Sequence, residues 1–438
     1  MTIVKAETMP YIEAFRAQAR PAGEPQWLVA GRDAALARFG TLGFPTRRQE
    51  AWRFTDLRPL QRQVFPPAAD GAAVSPEVLR RHRLDSAAHC LVLVNGRFAP
   101  ELSTLGAVPA GVWLASTRRT LDERPHLVEA SIAETDMAGA QPFAALNAAF
   151  FADGIVLTLD PGVVLEKPVQ IIHVGRASAP QSFHLRSLIR LGERSAARVV
   201  ESFIGDGPSW TNAVTAVELG ERAALDHVVL QDESRQAIHF ALLRVTLAAG
   251  ASYDGFALTL GGRLSRRDAQ ATIAGPDARC GISGAYLLRG DQEATNATFV
   301  DHAAPGGVTR ELWKGVADDR AHGVFLGRIA VRPEAQKTDA NQVNRNLLLS
   351  PRASIDTKPE LEILADDVKC SHGATVGDLD ADALFYLRAR GIAEAEARRM
   401  LIDAFAAEAI ATVADPRLRD HLQGALQRWL GAEEPVPS

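Results

Sequence analysis

The spacing of apolar positions changes twice along the chain. Up to about residue 60 they recur at helical intervals: Tyr11, Ile12 and Phe15, then Trp27, Leu28, Ala35, Leu36 and Phe39. Gly43-Phe44-Pro45 closes that pattern. A polar stretch with an aromatic pair follows, Glu50-Ala51-Trp52-Arg53-Phe54-Thr55-Asp56. Next comes a strand-like run, Cys90-Leu91-Val92-Leu93-Val94, ended by Asn95-Gly96, two residues that tolerate the positive φ of a tight hairpin turn. The Ala-rich segment 128–152 reads as helix and loop.

From about Gly154 to Val376 helical spacing disappears and short β-rich runs succeed one another, such as Ile155-Val156-Leu157-Thr158-Leu159 and Val169-Gln170-Ile171-Ile172-His173-Val174. A degenerate repeat lies inside this stretch. Leu191-Gly192-Glu193-Arg194-Ser195-Ala196 resembles Leu219-Gly220-Glu221-Arg222-Ala223-Ala224, with echoes at 248–252, 274–278, 317–321 and 350–353. Aligning Ala196, Ala223, Ala251 and Ala278 gives spacings of 27, 28 and 27 residues. A small residue after a polar turn, then alternating side chains, is what each coil of a β-solenoid needs. An antiparallel sandwich with Gly-Ala turns is the competing reading. Beyond Asp380 helices return. Ala383–Arg390 stops at Gly391, 393–413 carries Met400, Leu401, Ala404, Phe405 and Ile410 on one face, and Asp415-Pro416 opens a third helix with the stripe Leu418, Leu422, Ala425, Leu426 and Trp429. The chain is therefore expected to be mainly β. A mixed α/β N-terminal part (1–150) and a helical C-terminal part (378–438) flank a β core (151–377).

Composition narrows the function. A chain of 438 residues is too long for one ordinary core, and a solenoid is the exception because it grows along one axis. The net charge of −5, without clustered Lys and Arg, argues against nucleic acid. No run approaches the roughly 18 apolar residues of a membrane span, and Met1–Glu7 lacks a secretory apolar core, so a cytoplasmic protein off the membrane is expected. Cys90, Cys280 and Cys370 are far apart, which suits reduced thiols and excludes a disulfide framework. Without a CxxC pair, a metal would need mixed ligands or ligands shared with another subunit.

Nucleotide and hydrolase motifs are missing: there is no GxxxxGK[ST], no GxSxG and no HExxH. Gly261-Gly262-Arg263 reads as a turn, and Asp366-Asp367 in a β context would point to opposite faces, so no paired-carboxylate chemistry is indicated. What remains is Val368-Lys369-Cys370-Ser371-His372-Gly373-Ala374-Thr375-Val376-Gly377. In a strand, Cys370 and His372 project from one face, and a thiolate beside an imidazole suits iron, zinc or copper. Lys369 and an imidazolium would each lower the thiol pKa. The bland alternative is a buried cysteine with a hydrogen-bonded histidine. Cys280 and Cys90 read as core filler. His173, His227 and His239 sit in strands as surface or packing residues, and the Phe405–Trp429 stripe reads first as a helix–helix core.

Taken together, Gln336-Lys337-Thr338-Asp339-Ala340-Asn341-Gln342, Asn346-Leu347-Leu348-Leu349-Ser350, Lys358-Pro359-Glu360-Leu361-Glu362-Ile363 and Asp366 through Gly377 resemble the SufB/SufD scaffold family of the SUF iron–sulfur assembly system. The helix from Ala383 to Ile392, the Glu50–Leu57 stretch and Leu93–Phe98 fit the same pattern, and the Lys-Cys-Ser-His-Gly-Ala-Thr run has the form of the SufD branch. The resemblance implies a right-handed parallel β-helix core. It implies a non-catalytic scaffold subunit, not an enzyme, paired with a SufB-like paralogue and bound by a SufC-like ABC ATPase through the C-terminal helices, where Phe385, Tyr386, Arg388 and Arg390 would dock. A transient iron–sulfur cluster would form at the shared interface, with none tightly bound to the isolated chain. His372 occupies the position of the family's interface histidine, which works with a SufB cysteine, and Cys370 matches the motif cysteine. A surface built to pair with a paralogue also allows a homodimer. Two other readings compete: a β-helix carbohydrate-active lyase or hydrolase, needing clustered acidic and basic residues on one solenoid face, and an independent metal-binding homodimer.

Overall fold

The structure, a computed structural model, describes residues 5–17, 23–68, 73–132 and 141–431. Part of the Ala-rich stretch of 128–152 lies outside those residues. From Ile155–Leu159 to the last strand, Lys369–Gly377, the chain crosses back and forth between two parallel sheets. Each strand hydrogen-bonds to the strand one coil earlier in its own sheet. Among the described residues one sheet has 11 strands and the other 9, and they are called here the long and the short sheet. This is the expected parallel β-solenoid rather than a sandwich.

Early runs such as Gln181–Leu191 and Ser209–Leu219 read as nearly continuous apolar stretches because both faces of those coils are covered, whereas later strands such as His322–Val331 alternate between buried and more exposed positions. Leu225 and Val229 point into the solenoid with Leu243, Val245, Ile273 and Phe325. Their neighbours Val228 and Leu230 face outward and lie under the C-terminal helices.

The corner that turns from the short to the long sheet explains the repeat. Each of its turns places one residue in the left-handed region: Arg194, Arg222, Gly250, Asp277, Gly306 and Lys337, at φ 55, 55, 62, 59, 72 and 64°. The backbone N–H of each donates to a carbonyl of the following coil (Glu221, Ala249, Pro276, Pro305, Gln336 and Asp367), at 2.7–3.0 Å. A left-handed side-chain residue costs roughly 1–2 kcal/mol, and each rung offsets part of that by satisfying a turn donor. Behind the rungs stand Ser195, Ala223, Ala251 and Ala278, all buried. Here the sequence alignment needs correction. Strand pairing matches Ala196 with Ala224 and then Ser252, so the stacked small residue is Ser195, not Ala196. The echoes at 317–321 and 350–353 belong to the opposite corner, from long to short sheet, whose turns use similar residues. Asp366-Asp367 likewise sits in a corner bend, where Asp367 pairs with Lys337, and not in a strand.

The N-terminal part closes one end and one side. His89–Val94 adds in parallel to Val169–Arg176, with Asn95 and Gly96 at positive φ in the expected hairpin. Val112–Ser116 pairs antiparallel with Ile155–Leu159. Tyr11, Phe39, Phe44, Trp52 and Phe143 gather around Trp210 and Phe240 on the outer face of the short sheet. Asn147, on a wholly buried helix (Pro142–Phe150), donates to the carbonyls of Leu185 and Asn212 and ties that helix to two coils.

The C-terminal helices Glu394–Ile410 and Pro416–Trp429 lie on the outer face of the long sheet. The first buries Ala397, Ile402, Ala406, Ala409 and Ile410, whereas Met400 is exposed and Phe405 only half-buried. The face expected from sequence was therefore rotated, because the helix has a sheet as well as a helix to pack on. The stripe Leu418, Leu422, Ala425 and Leu426 is buried as expected, against the sheet in addition to its helical neighbour.

Close stacking of the corner column makes a direct prediction. Ala251→Leu, which overfills a fully buried corner position, is expected to lower stability by about 1–3 kcal/mol in urea unfolding.

Candidate functional site

The opposite end of the solenoid is open. In the pairing order the short sheet ends at Ser354–Ile363 and the long sheet at Lys369–Gly377, so each strand carries one unpaired edge. The last strand is built from Lys, Cys, Ser, His, Gly, Ala, Thr, Val and Gly. Its residues hold their places through register with Asp339–Leu348: Ala340 lies beside Cys370, Asn341 beside Ser371 and Gln342 beside His372. Asn341 Nδ2 donates to Ser371 Oγ at 2.8 Å. Cys370 packs half-buried against the inner core, to which the fully buried Ala340 beneath it belongs. Strand alternation puts His372 on that same inner face, one coil above the buried Gln342, and leaves it exposed at the rim. The structure thus brings Cys370 and His372 together as two donors at the mouth of the solenoid.

The expected activation of the thiol does not hold. Cys370 is pushed above the usual thiol range, first by burial and then by the Asp339 carboxylate, against a lowering backbone hydrogen bond from Ala340. Alternation sends Lys369 to the other face. At neutral pH Cys370 is a thiol, not a thiolate.

Beneath the rim the interior is polar in places. Gln342 Nε2 and Thr298 Oγ1 donate to one oxygen of Glu311, at 2.9 and 2.8 Å. A side chain at Gly327 would collide with Gln342: a Cβ there would lie 2.3 Å from Nε2. Deeper in, His227 and His173 flank Glu201 at 3.2 and 3.4 Å, and Tyr253 Oη stands 3.1 Å from His227 Nδ1. Burial alone would raise the Glu201 carboxyl, but the hydrogen bonds and charges of the two imidazoles more than reverse it and hold it well below the carboxylate range. Glu233 is held the same way: His239 stands 2.8 Å off, Thr211 donates at 2.6 Å and Gln231 at 2.9 Å. His173, His227 and His239 are therefore interior residues with carboxylate partners. The sequence reading passed over Glu201, Glu233, Glu311 and Gln342. For Glu311 and Gln342 the signal is a polar residue recurring at one inward register of successive strands; Glu201 registers with Ile171 and Val229, and Glu233 with Gly205, so no such recurrence marks them.

Cys90 and Cys280 are buried core residues. Among the described residues no three His, Cys, Asp or Glu side chains meet in a metal-binding arrangement. No helix among the described residues is long and apolar enough to cross a membrane.

A second exposed feature is the helix Ala381–Ala389, capped by Asp380, which accepts from the Asp382 and Ala383 amides. It buries none of its residues: Phe385 is 74% and Tyr386 56% exposed. Arg390 stacks over the Tyr386 ring at 4.4 Å, and Arg388 pairs with Glu394 at 3.3 Å. Phe405 and Trp429 instead turn to the solenoid, under Lys314 (4.1 Å) and Arg289 (4.2 Å) respectively.

Comparison with known proteins adds an independent line. Residues 173–405 match the family described as SUF system FeS cluster assembly, SufBD core domain, and residues 6–171 match the SufBD protein N-terminal region. An iron–sulfur cluster assembly SufBD family protein of Synechocystis is 33% identical over 411 residues, covering 91% of this chain and 90% of its own. The iron–sulfur cluster assembly protein SufD of Escherichia coli is 32% identical over 385 residues, covering 87% and 88%. The chloroplastic protein ABCI7 of Arabidopsis thaliana is 31% identical over 417 residues, covering 90% and 85%.

The cysteine environments predict a single reactive thiol in the native protein. Alkylation followed by mass spectrometry is expected to label Cys370 alone, slowly at pH 7 and faster as pH rises past the usual thiol range. Cys90 and Cys280 become reactive only on unfolding; fast labelling of Cys370 at pH 7 would contradict the raised thiol.

Proposed function

Because the chain belongs to the SufB/SufD family of iron–sulfur cluster assembly proteins, we propose that it is a non-catalytic scaffold subunit of the SufD branch. The observation that supports this reading is the open rim, where Cys370 and His372 stand on the last strand of a sheet that, among the described residues, ends without a partner strand. Two donors are half of a four-coordinate site, and the open edges can accept another chain by strand addition. A SufB-like paralogue supplies the missing surface and its cysteine, and the cluster, as cargo, forms between the two subunits. His372 is the principal donor of this chain. It stands exposed at the rim, whereas the Cys370 thiol is half-buried and must first lose a proton. Cys370 is therefore the secondary ligand.

Energy comes from elsewhere, since the sequence has no nucleotide-binding loop. The segment 378–438 docks a SufC-like ATPase in the cytoplasm through the exposed Phe385 and Tyr386, with Arg388 and Arg390 at the rim. Aromatic and arginine side chains in that arrangement are frequent binding anchors. Movement of the ATPase reaches the solenoid through Lys314 and Arg345, both paired with Glu408 on the C-terminal helix.

Two experiments test the two halves of this reading. Co-expressed with SufB- and SufC-type partners, His372→Ala is expected to leave the complex intact and to cut cluster assembly at least about tenfold. Unchanged assembly would refute the ligand assignment. Phe385→Ala with Tyr386→Ala is expected to weaken ATPase capture by about 2 kcal/mol or more, whereas capture retained after deletion of 378–438 would place the ATPase elsewhere.

A further inference from the structure

Inside the solenoid, Glu311 is a fully buried carboxyl with no counter-charge. Burial lifts it to about 7, although hydrogen bonds from Gln342 and Thr298 pull the other way. Both of those bonds reach one oxygen, Oε2, and Oε1 has no partner. The ionisable group facing it among the described residues is the Cys280 thiol, pushed well up by burial and by Glu311 itself. Among the described residues no cation stands near, in contrast to Glu201 and Glu233 deeper in the same interior, which hold histidines.

Its position gives the carboxyl a direction in which to act. Glu311 registers with Gln342 one coil above, and Gln342 registers with His372 at the rim. Neighbouring strands lie about 4.8 Å apart, so two spacings, roughly 10 Å, separate Glu311 from the rim donor. At that distance through protein, a doubly charged ion favours the carboxylate and so opposes the burial that keeps the carboxyl protonated.

We propose that Glu311 is the charge-balancing carboxyl of the rim site: a divalent cation held at His372 displaces its proton, leaving a carboxylate beneath the cation. The O–H bond of Glu311 breaks, the electron pair stays on the carboxylate and the proton passes to solvent at the open end. Glu311 is a positioning residue, since Gln342 lies between it and His372. The inference rests on the reading of His372 as a metal ligand, and its test separates the two.

The full-length chain is titrated with Co²⁺ alone at pH 7 by calorimetry in buffers of different ionisation enthalpy. Wild type, whose Glu311 burial keeps protonated into the neutral range, is expected to release more protons per ion than Glu311→Gln. Glu311→Gln keeps the shape of the side chain. It is also expected to remove a pH dependence: the raised carboxyl favours the fold fully below its unfolded value of about 4.3, and that contribution is lost as pH rises to about 7. A second arm needs no metal. His372→Arg puts a fixed positive charge at the rim, and infrared difference spectra against the corresponding Glu311→Gln chain should show Glu311 ionising at least about one pH unit lower. Equal proton release by wild type and Glu311→Gln, or an unmoved carboxyl in His372→Arg, overturns the proposal. If wild type binds no Co²⁺ while His372→Arg still shifts Glu311, the ligand reading of His372 fails and the coupling stands.

Discussion

Stacking of one coil on the next is the interaction on which the rest of the molecule depends. Parallel strands pair only with the coil before and the coil after, and the corner rungs from Arg194 to Lys337 repeat the same demand in the turns. A structure made this way is saturated everywhere except at its ends. The N-terminal part resolves one end by adding His89–Val94 and closing it with a hairpin. The other end is left unsaturated, and the motif with the most chemical content occupies its last strand. In the proposed assembly the site is thus a property of where the fold stops.

The interior shows how a solenoid can carry buried charge. Glu201 and Glu233 would be costly alone, but His173, His227 and His239 approach them from neighbouring strands of the same interior. Register fixes those distances, because a one-residue slip would move each partner to the opposite face. Glu311 has no such partner among the described residues and lies two strands from the open rim.

Local chemistry was legible in the sequence. Asn95-Gly96, Gly43, Asp380 and Asp415-Pro416 end or start elements as their side chains and φ preferences dictate. The 27–28-residue period revealed the solenoid, and the run from Lys369 to Gly377 placed Cys370 and His372 on one face. What was not legible depends on contacts between coils. Similar turns occur at both corners, so the period alone could not assign 317–321 and 350–353 to the right one. Helix Glu394–Ile410 packs on a sheet that its own periodicity cannot reveal. The Cys370 thiol is governed by half-burial and Asp339, not by its sequence neighbour Lys369.

The composition of the last strand has a further consequence for the life of the free subunit. An unpaired edge is a template for uncontrolled growth, and two of them lie side by side here. Lys369–Gly377 carries two glycines and small polar side chains, with Val376 its one large aliphatic residue. It offers backbone hydrogen bonds but little of the dry, interdigitating surface that drives amyloid-like stacking. Ser354–Ile363 adds Lys358, Pro359, Glu360 and Glu362, which blunt the neighbouring edge. In the proposed assembly, a rim of this composition would favour a partner that brings matching side chains as well as a strand.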